Sequence, residues 1–172
     1  MTEPEQIRAQ LEVFASEDPF WIARSGAIPE HDSGEGSVFP DGSLAVRCTS
    51  WATYARRALG SRAKLYGFFC QDNPSATAMA RLADGHDFAV IDDRWIIDGW
   101  LFDVEGELSE PMIDLRDPAN AELVRGFYGD PATWNRALSL EVAIDAECPQ
   151  AFAAAMSDVI PAQLRHAPIP EM

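Results

Sequence analysis

A thiol, an imidazole and a carboxylate follow one another here in an order that suits nucleophilic catalysis: Cys48, His86, and Asp98 twelve residues beyond the histidine. A cysteine becomes a nucleophile when a base takes its proton and a third group holds that base in one tautomer; these residue types supply all three roles. Cys48 lies in Leu44-Ala45-Val46-Arg47-Cys48-Thr49-Ser50-Trp51-Ala52, where a short extended run gives way to a helical pattern. A thiol at a helix N-terminus meets the positive end of the macrodipole, which favours thiolate. The plainer role for such a residue is a small hydrophobe plugging the top of a buried helix.

His86 follows Gly85 at the mouth of an apolar strand pattern, Gly85-His86-Asp87-Phe88-Ala89-Val90-Ile91. There its ring can be fixed while one edge stays accessible, as a general base requires. His31, in a loop, and His166, in a proline-flanked tail, lack that support. Asp98 interrupts Trp95-Ile96-Ile97 before Gly99-Trp100, and a carboxylate within such a run is costly unless it has a partner. Hairpin register decides whether that partner is His86. A two-residue Asp92-Asp93 turn would pair His86 with Gly99 and turn Asp98 to the other face. A three-residue loop or a bulge is expected instead, with His86 directly opposite Asp98. Asp87 is a poor substitute, because strand neighbours point to opposite faces; Asp103 is the reserve. The plainer role for Asp98 is a turn-proximal acid bonded to backbone amides.

These groups need elements to hold them. Thr2-x-x-Glu5 forms a capping-box pattern ahead of Ile7, Leu11 and Phe14, which predicts a first helix ending near Asp18-Pro19. Phe20-Trp21-Ile22 reads as an aromatic anchor, and the glycine-rich stretch from Pro29 to Gly42 as a loop bordering the site. From Cys48, the residues Trp51, Tyr54, Ala55, Ala58 and Leu59 mark one helical face, capped by Gly60, with Arg56 and Arg57 on the polar side. Leu65 to Cys70 reads as a strand and Ser75 to Leu82 as a short helix. His86 to Trp100 reads as two strands apolar on both faces, hence central in a covered sheet. Ala119 to Tyr128 is expected to be helical, Ser139 to Ile144 a strand, and Gln150 to Val159 the last helix. The sum is an α+β domain spanning 1–172: an N-terminal helix and loop (1–42), a catalytic core (44–103) and a C-terminal elaboration (104–172).

Composition narrows the partners. Thirteen basic against twenty-eight acidic residues give a net charge of −15, which repels nucleic-acid phosphates and anionic lipid. No apolar run approaches a membrane span and the acidic N-terminus is no secretory signal, so a cytoplasmic location is expected. Cys48, Cys70 and Cys148 are too widely spaced for a disulfide framework and are expected to be free. They show no zinc-like spacing with His86, the acids follow no calcium-loop pattern, and no phosphate-binding glycine loop occurs; no cofactor or metal is expected. Arg56, Arg57, Arg62 and Lys64 read as a solvated basic patch, and Asp87, Asp92 and Asp93 as an acidic lining that would suit cationic substrates.

The chain resembles the papain-like and transglutaminase-like superfamily of cysteine enzymes. Cys48-Thr49-Ser50-Trp51-Ala52 looks like that superfamily's nucleophile helix. Gly85-His86-Asp87-Phe88-Ala89-Val90 with Arg94-Trp95-Ile96-Ile97-Asp98 looks like its His and Asp strands. The resemblance covers residues 44–103. It implies a nucleophile helix packed on an antiparallel sheet, with Cys48 as nucleophile, His86 as general base and then acid, and Asp98 as the orienting acid. Papain-type members carry a Gln upstream of the Cys for the oxyanion hole; none occurs between Leu11 and Arg47, so the Cys48 amide would act with a donor from the Pro29–Gly42 loop. Related sequences often place Pro after the strand Asp, where this chain has Gly99. The activity implied is amide hydrolysis (peptidase, amidase or deamidase) through a thioester. Acyl transfer to an amine, and an idle binding module of the same fold, are the alternatives. The partner is then a protein, peptide or small amide substrate; oligomeric state is not legible.

Overall fold

A computed structural model describes residues 1–17, 37–38, 44–45 and 47–147. The aromatic anchor at 20–22, His31, Cys148, the helix expected at 150–159 and His166 lie outside the described residues, as does all of the Pro29–Gly42 loop except Ser37–Val38. Helix α1 (Glu3–Glu17) begins as its capping pattern predicts, with the Thr2 amide donating to Glu5 Oε2 at 2.6 Å. Strands β1 (Ser37–Val38) and β2 (Leu44–Ala45) form a small antiparallel pair just ahead of helix α2 (Arg47–Leu59).

A five-stranded antiparallel sheet carries the rest. It comprises β3 (Ala63–Phe69), β4 (Gly85–Ile91), β5 (Trp95–Ile97), β6 (Met112–Asp114) and β7 (Asn135–Arg136), in the order β6-β5-β4-β3-β7. The coarse class is α+β, as expected. Strand alternation divides the core in two. Ala63, Leu65, Ala89, Ile91, Trp95, Ile97 and Met112 face Ala52, Ala55 and Leu59 of α2, with Ile7 of α1 beside them. Phe68, Phe88, Val90, Ile96 and Ile113 face the other way, onto Met79, Trp100, Leu101 and Tyr128. The pair β4–β5 is thus central and covered on both faces, which is why its sequence is apolar throughout.

Helix α3 (Ala121–Tyr128) follows a 3₁₀ turn at Pro118–Asn120 and fulfils the expected helix. Three expectations are corrected. The second hairpin strand stops at Ile97, and Trp100–Val104 forms a π-helical turn instead. Only Met79–Arg81 of the 75–82 segment is helical, as a 3₁₀ turn. The strand expected over Ser139–Ile144 is helix α4 (Leu138–Asp145). Its apolar residues alternate as in a strand, but the chain buries Leu140, Glu141 and Ala143 and leaves Leu138 and Val142 exposed. Glu141 decides the matter: it accepts from the Leu65 amide at 2.8 Å and from Arg136 at 2.7 and 2.8 Å, closing the end of β3 from a helix.

The basic patch also dissolves. Arg56 is only 5% exposed and is gripped by Asp145 at 2.9 and 2.5 Å and by the Ala63 carbonyl at 2.7 Å. Arg62 pairs with Asp92 and Lys64 with Asp93, so neither set of charges forms a one-sign surface. No helix among the described residues is long and apolar enough to cross a membrane.

Candidate active site

The β4–β5 hairpin sets the site. Ile91 pairs with Trp95, which leaves Asp92-Asp93-Arg94 as a three-residue loop. Asp92 and Asp93 adopt φ of 51° and 53°, a left-handed conformation that short Asx side chains tolerate better than most. Arg62 and Lys64, on the approach to β3 and within it, hold the two carboxylates. An odd loop puts His86 and Asp98 on the same face, as expected. Direct opposition does not occur: the register Ile91↔Trp95, Val90↔Ile96, Ala89↔Ile97 runs on toward Phe88 for Asp98, two residues from His86. The imidazole and carboxylate meet on the diagonal, just past the end of β5.

There the contact is tight. His86 Nε2 lies 2.5 Å from Asp98 Oδ2, both side chains being essentially without solvent exposure. An ionised carboxylate only accepts, so Nε2 is the donor and Asp98 fixes the tautomer. The same Oδ2 accepts from the Tyr128 hydroxyl at 2.7 Å, while Oδ1 accepts from the Leu101 amide at 3.0 Å. Asp98 therefore caps the turn after β5 and bonds the histidine at once. Asp103, the reserve, lies within that π-helical turn.

Tyr128 was not legible as a site residue. It ends α3, is fully buried, and has its carbonyl held by Asn73 Nδ2 at 2.9 Å and Trp134 Nε1 at 2.7 Å. Gly129 follows with φ of 66°, and a β-carbon there would lie 2.0 Å from Asn73 Oδ1. A polar asparagine after a strand and a glycine after a helix are the only sequence signals of this clamp. Burial and then the Asp98 charge push the Tyr128 hydroxyl far above its usual range, so it remains a donor.

An aromatic box surrounds the imidazole: Trp100 at 5.2 Å between ring centres, Tyr128 at 5.8 Å, Phe88 at 5.9 Å and Phe68 at 6.5 Å. Burial in this box works against the imidazolium, but Asp98, through charge and hydrogen bond, and Cys48 together override it and hold His86 above the usual imidazole range. Nε2 is committed to Asp98, and Nδ1 is buried with no hydrogen-bond partner among the described residues. Trp100 Nε1 is likewise buried without a hydrogen-bond partner among them.

Cys48 reaches this face from the other side of the sheet. Most inward residues of α2 pack over the Ala89 and Ile91 face, yet Cys48 belongs to the cluster of Phe88 and Trp100. Trp51 of α2 lies on Gly99, two residues past the end of β5. Gly99 makes that possible: a β-carbon there would lie 2.1 Å from Cε3 of Trp51, so the indole of α2 lies directly on the glycine. A glycine after Asp98 thus has a steric reason in this chain. Cys70 differs from Cys48. Its Sγ donates to the Ala83 carbonyl at 3.3 Å, and burial with the Asp84 charge pushes it up to about 11.

Asp87 does not line an open acidic groove. It points to the α2 face and accepts a hydrogen bond from Thr49 Oγ1. Among the described residues, no group of three or more His, Cys, Asp or Glu side chains is placed to hold a metal ion. Comparison with protein-family models, curated proteins and solved structures finds no match for this chain, so the geometry stands on its own.

Proposed function

We propose that this chain is a cysteine-dependent amide hydrolase of papain-like or transglutaminase-like architecture. Cys48 is its nucleophile, His86 its general base and acid, and Asp98 its orienting carboxylate. The observation that carries this reading is the buried His86–Asp98 hydrogen bond with Cys48 acting on the same ring. His86 takes the Cys48 proton, and the thiolate attacks an amide carbonyl to form a C–S bond. As the C–N bond breaks, His86 returns that proton to the departing amine, leaving a thioester. Water, deprotonated by His86, then cleaves the thioester to an acid and restores the thiol. An amine in place of water gives acyl transfer. Asp98 is held throughout by the Tyr128 hydroxyl and the Leu101 amide.

One observation favours an idle binding module instead: Cys48, His86 and Asp98 are each only 2% exposed, so a substrate carbonyl needs an opening to reach sulfur. Site-resolved alkylation separates the two readings. A working pair makes Cys48 react at pH 6 at least tenfold faster than Cys70, with that advantage lost in His86→Ala and reduced in Asp98→Ala. Equal rates at Cys48 and Cys70, unchanged by His86→Ala, would leave only the binding module. A substrate amide that leaves an acyl mass on Cys48, with or without incorporation of added primary amine, then divides hydrolysis from transfer.

A further inference from the structure

The elements that carry Cys48 and His86 are joined a second time, one residue further along each. Thr49 Oγ1, fully buried on α2, donates to Asp87 Oδ2 on β4. Asp87 projects to the face opposite His86, because it is the next residue on the strand. Its direct partner across the sheet is Gly67 on β3, where a β-carbon would lie 2.1 Å from Asp87 Oδ1. Three elements thus build the niche: α2 gives a hydroxyl, β3 gives space, and β4 gives the carboxylate.

Packing alone does not explain an acid here. The neighbouring wall is apolar (Ala52, Ala55, Ala89), and burial pushes the Asp87 carboxyl up to about 6 against the opposing pull of Thr49 and His86. An aliphatic side chain would fill such a wall without desolvating a charge. What the carboxylate adds is direction. Cys48 and Thr49 stand about 100° apart around the helix, and His86 and Asp87 stand on opposite faces of the strand. The two contacts therefore straddle the start of β4, and a rotation of α2 that swings Cys48 away from His86 must break the Thr49–Asp87 bond.

We propose that Thr49 and Asp87 are positioning residues, a latch that sets the first turn of α2 so that Cys48 faces His86. The inference rests on the thiol-enzyme reading above and concerns a pair outside its triad. Its test is iodoacetamide labelling of the whole chain at pH 7, with rates resolved at Cys48 and Cys70 by peptide mass spectrometry. Thr49→Val, which keeps shape and removes the hydroxyl, is expected to slow Cys48 about tenfold, and Thr49→Ser to restore it to within about threefold. Gly67→Ala, which displaces the Asp87 carboxylate without touching either bonding residue, is expected to slow Cys48 as well. Cys70 reports general loosening: a variant that merely unfolds more often speeds labelling at both thiols. The latch is refuted if Thr49→Val leaves Cys48 at the wild-type rate, if Thr49→Ser falls as far as Thr49→Val, or if Cys48 and Cys70 change in parallel. His86→Ala separates the two levels. If it too leaves Cys48 unchanged, the thiol-enzyme reading fails; if it slows Cys48 while Thr49→Val does not, only the latch fails.

Discussion

Removing a single oxygen from Tyr128 tests whether Asp98 is held as a buried ionised carboxylate. Tyr128→Phe keeps the ring that packs on Phe88 at 4.9 Å and on His86 at 5.8 Å, and deletes the donor 2.7 Å from Asp98 Oδ2. A hydrogen bond to a charged group contributes about 1.5–3 kcal/mol. Tyr128 has 0% exposure, so water cannot take the hydroxyl's place. Asp98 keeps His86 Nε2 and the Leu101 amide, which limits the loss below the 3–5 kcal/mol or so of a wholly unpaired buried charge. The expected destabilisation is therefore about 2 kcal/mol, read by urea unfolding at pH 7 as a lower midpoint at constant m-value. Tyr66→Phe is the control: that half-buried ring stacks on the same Phe88 at 6.3 Å, and its loss of hydroxyl should cost under about 0.5 kcal/mol. Equal, small losses in both variants would refute the reasoning, because a carboxylate indifferent to the loss of one of three donors is not ionised and dry.

Three other outcomes are expected. Asp87 has a folded-state pKa raised to about 6 from 3.8, so its protonation supports folding at low pH and that support is lost as pH rises through 6. Asp87→Asn should accordingly gain on wild type by about 2 kcal/mol between pH 4 and pH 7; a stability difference flat across that range, by denaturant titration, would contradict it. His86 is shifted the same way, but as a cation: its contribution is complete below the ordinary value near 6.5 and is lost as pH rises through the higher folded value. His86→Gln should flatten the alkaline decline in unfolding free energy, and an unchanged slope would place the proton elsewhere. Gly99→Ala, with its β-carbon 2.1 Å from Trp51, should cost about 1–3 kcal/mol by overpacking and slow Cys48 labelling, with Trp51→Leu relieving part of both in the double variant.

Much of this was visible in the residues because the local signals agreed with one another. The capping box, the β3 and β4 strand patterns and the apolar face of α2 are consistent at every level, and His86 and Asp98 stand out as polar residues in apolar runs. What escaped depended on distant partners. The strand-like alternation of Leu138, Leu140, Val142 and Ile144 lost to one buried carboxylate, Glu141, whose partners lie on β3 and β7. Arg56 looked solvent-facing until Asp145, far along the chain, met it. Tyr128 carries no local sign of its bond to Asp98, thirty residues away. Strand alternation turns Asp87 to the face opposite His86, and that same alternation delivers it to Thr49.

The three-residue loop between β4 and β5 makes the site depend on a parity rather than on an amino acid. Trp95, Ile96 and Ile97 are all buried, so apolar burial alone does not decide which face each takes. A one-residue change in loop length would turn Asp98 toward α2 and leave His86 and Tyr128 without their acceptor, at the cost of about 3–5 kcal/mol that an unpaired buried charge carries. Along a lineage, the identities at 92 and 93 are free to drift wherever Arg62 and Lys64 still find partners, while Arg94 is tied to Asp114, and length is free to change in twos. The loss of a single codon there would therefore strike the stability of the protein and the proposed thiol chemistry together.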